Sequence, residues 1–106
     1  MKRDTLLKNK IIDVKLPSGE AVKARGLKRG EVVELYNAPG DNEAKGLALA
    51  RHILTHCLLN DDESRMFSDD EAALIEQLDA GDAAAVVQAV QRASGMNAAE
   101  ADAKKA

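Results

Sequence analysis

The chain has 106 residues and a net charge of −3, and its hydrophobic share of 45% includes 19 alanines and only two aromatics, Tyr36 and Phe67. That length allows one small domain and excludes a two-domain enzyme with an interdomain cleft. No run approaches the roughly 18–20 continuous apolar residues that cross a bilayer, and a single cysteine, Cys57, cannot form an internal disulfide. The charge is unevenly spread: residues 1–30 hold nine Lys/Arg against three acids, whereas residues 31–106 hold six against fifteen. A basic end of this kind can meet nucleic acid, an acidic partner or the acidic part of another copy, although charge runs are usually solvated surface.

The first ten residues are basic but contain neither the apolar run nor the small-residue cleavage site of a secretory leader, so the expected location is a reducing cytoplasm. Residues 11–25 are predicted to form a β-hairpin. Ile12, Val14 and Leu16 alternate with Asp13 and Lys15, Pro17-Ser18-Gly19 makes the reversal, and Val22 and Ala24 then alternate with Lys23 and Arg25. One face is apolar and must lie on helices, because two strands alone are marginal in water. Gly26 and Gly30 bracket a short connection, and Glu31 to Asn37 reads as a third strand or as two helical turns.

Ala38-Pro39-Gly40-Asp41-Asn42 is a break whose Asp41 or Asn42 can cap the next helix, predicted over residues 43–59. At 100° per residue Leu47, Ala50, Ile53, Leu54, Cys57 and Leu58 form one stripe, expected to face the hairpin. Leu49, His52, His56 and Leu59 form a second, roughly opposite, so this helix is either central or shared with another chain. Residues 60–67 form a polar turn ending in Phe67. Ser68-Asp69-Asp70-Glu71 has capping-box spacing ahead of a helix carrying Ala72, Leu74, Ile75 and Leu78, with Phe67 as its staple. Asp82 is expected to cap the last helix, whose Ala83, Val86, Val87, Val90 and Ala93 share a stripe before the Ser94-Gly95 exit. The fold class is α+β, an N-terminal antiparallel β-hairpin on a bundle of three to four α-helices. Residues 1–96 make a single domain, and the polar stretch 97–106 is expected to fray or be disordered.

Motifs that carry chemistry are weak. His52, His56 and Cys57 are the nearest approach to a metal site, but Cys57 is rotated about 100° from His56 on a helix and no second ligand cluster exists. The acids around Asp61 to Glu71 miss the calcium-loop pattern, since the sixth position is Met66 and the twelfth Ala72. No nucleophile elbow or phosphate-cradling glycine loop is present, so no enzyme activity and no cofactor is expected. Lys15, Lys23, Arg25, Lys28 and Arg29 make a small nucleic-acid-binding module the alternative, weakened by the acidic total and the lack of interleaved aromatics.

The order of these segments is more informative than any one of them. A short basic N-terminus is followed by a hairpin ending in Val22-Lys23-Ala24-Arg25-Gly26-Leu27 and by Glu31. A central helix, Arg65-Met66-Phe67-Ser68-Asp69-Asp70-Glu71, and Ala93-Ser94-Gly95-Met96 before a polar tail complete the order. Over roughly residues 10–100 the chain resembles the tail assembly chaperones of long-tailed bacteriophages and prophages. The resemblance implies a non-enzymatic helper in the host bacterial cytoplasm, absent from the mature virion, which binds the tape measure protein and helps tail tube subunits polymerise around it. It also implies a longer form made by frameshifting near the end of the reading frame. The expected surface for self-association or client binding is Leu35, Tyr36, Leu49, His52, His56 and Leu59. A structural component of the tail or head–tail connector is the other alternative, and a nucleic-acid or membrane partner is not expected.

Overall fold

A computed structural model describes residues 2–96. Its elements in chain order are α1 (Lys2–Leu7), β1 (Ile11–Lys15), β2 (Ala21–Arg25), α2 (Arg29–Asn37), α3 (Asn42–His56), β3 (Leu58–Leu59), a 3₁₀ helix (Asp69–Gln77) and α4 (Ala80–Ala93). The class is α+β, as the sequence predicts. The expected polar tail, 97–106, lies outside the described residues.

β1 and β2 form the predicted antiparallel hairpin, with Ile12 opposite Ala24 and Val14 opposite Val22. The reversal is closed by Leu16 N–H to Glu20 O (2.7 Å) and Gly19 N–H to Leu16 O (2.9 Å). Gly19 sits there at φ +103°, a conformation a side chain would strain. The sheet has a third strand where helix is predicted. α3 stops at His56, and Leu58 and Leu59 pair with Ala24 and Lys23 on the free edge of β2. That edge offers unpaired amides, and Arg25 N–H already donates to Cys57 O at 3.0 Å. Leaving the helix therefore satisfies backbone groups that two more helical residues would leave open.

Glu31 to Asn37 resolves as helix, part of α2. The Glu31 carboxylate accepts from the Lys28 amide at 2.8 Å, satisfying a free donor at the start of the helix. Asp41 caps α3 through the Ala44 amide (2.8 Å). The stretch after Ser68 is a 3₁₀ helix rather than the predicted ordinary helix. Three residues per turn set Ala72, Ile75 and Leu78 on one ridge against the body and turn Leu74 outward, 42% exposed. The last helix is capped by Asp79, not Asp82: the Asp79 carboxylate accepts from the Asp82 amide at 3.0 Å. Gly81 leaves it room, since a Cβ there would stand 3.2 Å from that carboxylate. Asp82 instead accepts from the Ser18 amide (3.2 Å), tying α4 to the hairpin turn.

α4 packs on β1 and β2, and α3 packs on α4, the 3₁₀ helix and α2. The core is Val14, Ala24, Ile53, Leu54, Cys57, Leu58, Ile75, Val86 and Val90. Leu47, predicted to face the hairpin, is 68% exposed. The fully buried part of α3 is its C-terminal end, Ile53 to Thr55, and the N-terminal half stands beside open grooves.

Candidate functional site

Where α2 leaves the sheet, one carboxylate gathers four donors from three elements. Glu31 Oε1 accepts from Arg25 Nη1 and the Lys28 amide, both at 2.8 Å, and Oε2 accepts from Arg25 Nη2 at 2.9 Å. Oε2 also lies 2.5 Å from His52 Nε2, so the proton on that nitrogen faces the carboxylate. All three side chains are mostly covered. Burial pushes the Glu31 carboxyl up, but the hydrogen bonds from Arg25, Lys28 and His52 outweigh it and hold the group down at about 2. A carboxylate so low and so fully engaged is a clamp rather than a proton acceptor. It fastens α2, which buries no residue completely, to β2 and α3.

The clamp continues along α3. His52 stacks on His56 with ring centroids 4.4 Å apart. Burial and the neighbouring His52 and Arg65 pull the His56 imidazole below its ordinary pKa, against the opposing charge of Asp69 at 3.8 Å. Cys57 is fully buried, and burial pushes its thiol up to about 11, so it stays protonated.

Two grooves flank the exposed half of α3. The first, of about 680 Å³, lies between α2, α3 and the end of α4, with Leu35, Tyr36, Leu49 and Met96 among its walls. Lys45 at its rim donates to Tyr36 O at 2.8 Å. The second, of about 890 Å³, runs between α3, the 3₁₀ helix and the start of α4, over Leu47, Leu54, Ile75 and Leu78. An exposed ion pair, Arg51 to Glu76 at 3.0 Å, crosses its rim. Leu35 borders both.

Five of the six predicted surface residues line a groove, but they are divided between the two: Leu35, Tyr36 and Leu49 line the first, and Leu35, His52 and His56 edge the second. Leu59 does not join them. It is 6% exposed in β3, opposite Lys23, because the chain has left the helix by then and the helical projection no longer applies. The histidines and Cys57 do not converge, and among the described residues no group of three or more His, Cys, Asp and Glu is placed to hold a metal. The expected basic hairpin face is also depleted. Arg25 turns into the Glu31 clamp and Lys23 lies 3.8 Å from Asp13 across the strands.

The clamp itself escaped sequence reasoning, which placed Arg25 on a basic surface and Glu31 in a helical turn. The one available signal was a glutamate three residues after Lys28, the spacing at which a side chain reaches back to a helix-initiating amide. No family model, curated protein or solved structure matches this chain.

Proposed function

We propose that the chain is a non-enzymatic binding protein of the assembly-chaperone kind, which shelters an apolar helical segment of a phage tape measure protein while tail tube subunits assemble. The observation that carries this reading is the first groove, where Leu35, Leu49 and the 61%-exposed Tyr36 offer an apolar surface between two helices. An amphipathic client helix docks in such a groove by residues spaced three and four apart. Exposed apolar surface of this kind marks an interaction site in small proteins. The segment order resembling tail assembly chaperones supplies the client's identity, the cytoplasmic setting and the expected absence from finished virions.

The test is co-expression with a tape measure protein encoded in the same genome. The wild-type chain is expected to keep that protein soluble and to co-purify with it. Tyr36→Asp, at an exposed site, is expected to lose both effects while melting at the same temperature. A tape measure protein that precipitates equally with and without the wild-type chain would refute the reading, as would finding the chain in purified virions.

A further inference from the structure

The N-terminal arm is the least explained part of the molecule. α1 buries nothing, and Leu6 and Leu7 are 83% and 63% exposed. The base of the arm is nevertheless tied down, by Gly26 N–H to Lys10 O (2.8 Å) and by the Lys28 ammonium to Leu7 O (2.5 Å). It is basic, with Lys2, Arg3, Lys8 and Lys10 against Asp4. Two adjacent leucines held in water on a positively charged, anchored helix are a ligand without a site.

The second groove is a site of matching character. Its floor is apolar and includes Leu47, Ile75 and Leu78. The segment that walls it, residues 68–82, carries Asp69, Asp70, Glu71, Glu76, Asp79 and Asp82 and no basic residue. Asp69 and Glu76, which line the groove, pair with Arg65 and Arg51, while Asp70, Glu71, Asp79 and Asp82, each next in sequence to a lining residue, meet no cation among the described residues. The arm does not reach Asp79 and Asp82, beside the groove, in its own chain. Lys10 donates to Ala93 O at the C-terminal end of α4, whereas Asp79 and Asp82 lie at the other end, about 20 Å away along a 14-residue helix. Leu7 is three residues from Lys10 and Leu6 four, a span of at most about 10–14 Å.

We infer that the arm of one copy docks by Leu6 and Leu7 in the second groove of another copy, its lysines and arginine facing the acidic rim. Arm and groove are different surfaces, so the contact is heterologous and propagates head to tail instead of closing a two-fold dimer. It does not rest on the client reading, which uses the first groove.

The experiment is analytical ultracentrifugation over a concentration series at low and high salt, on the wild type, an arm variant (Leu6→Asp with Leu7→Asp) and a groove variant (Leu47→Asp). All three positions are exposed, and circular dichroism melts check that each variant folds. Wild-type mass is expected to grow with concentration and to fall back as salt screens the rim. Each variant alone is expected to self-associate about tenfold more weakly or worse. Mixing the two variants restores association but only as a 1:1 pair, because the pair contains one working arm and one working groove. A monomeric wild type, an arm variant that assembles like the wild type, or variants that fail to pair on mixing would each overturn the inference. Arm-dependent binding of a monomeric wild type to anionic vesicles would overturn it in favour of a membrane surface.

Discussion

The Glu31 clamp gives the sharpest quantitative expectation. In the folded chain the carboxyl titrates at about 2 instead of its ordinary 4.5. Each unit is worth about 1.4 kcal/mol, and with the side chain still 18% exposed the clamp contributes about 2–3 kcal/mol at neutral pH. Because the folded pKa is depressed, this stability is fully present above the unfolded value near 4.5. It is lost as the pH falls towards 2, and roughly half is gone at pH 3. Glu31→Gln removes the charge and leaves the 16%-exposed Arg25 guanidinium without its two carboxylate contacts. Urea unfolding followed by circular dichroism should therefore place Glu31→Gln about 2–3 kcal/mol below the wild type at pH 7, with the gap closing as the pH falls to 2. The double replacement Arg25→Met with Glu31→Leu should recover much of the loss, since well-packed apolar groups often replace a covered ion pair at little cost. A gap under about 0.5 kcal/mol at pH 7, or one of equal size at pH 7 and pH 3, would refute the reasoning.

Further expectations concern packing and the backbone. Ile53 is fully buried at the centre of the core, so Ile53→Ala should cost about 3–4 kcal/mol in the same unfolding assay. Gly40 has φ +125°, and a Cβ there would meet Ala44 Cβ at 3.0 Å. Gly40→Ala should therefore destabilise by about 1–3 kcal/mol by distorting the entry to α3. The buried, protonated Cys57 thiol should react slowly with a disulfide reagent at pH 8 in the native protein and rapidly in urea, and equal rates would contradict its burial.

Some parts of the fold were legible because they rest on local rules. The hairpin follows from strict alternation of Ile12, Val14, Val22 and Ala24 around a proline–glycine turn. The Asp41 cap and the Val86–Val90 stripe follow from helix-end chemistry and period. Other parts depended on competition between alternatives of similar local merit. Leu58 and Leu59 suit the α3 helix as well as a strand, and the open edge of β2 decided between them. The run after Ser68 has an ordinary helix start, but only the three-residue period brings Ala72, Ile75 and Leu78 together onto the body. Of the proposed surface, periodicity placed Leu49, His52 and His56 on one stripe of α3, and these line the grooves together with Leu35 and Tyr36, whereas Leu59 left the stripe with the helix boundary it assumed.

By itself, then, the sequence determined the β-hairpin, the helices around residues 43–56 and 80–93, the Asp41 cap, and that one end would be basic and the other acidic. These are properties of residues a few positions apart. Tertiary structure alone decided that Arg25 would leave the basic face for Glu31 and His52, that α3 would carry a groove on each side, and that Leu6 and Leu7 would be left without a place in their own chain. Each depends on the distance between groups far apart in sequence, and that distance is set only once the helices have packed on the sheet.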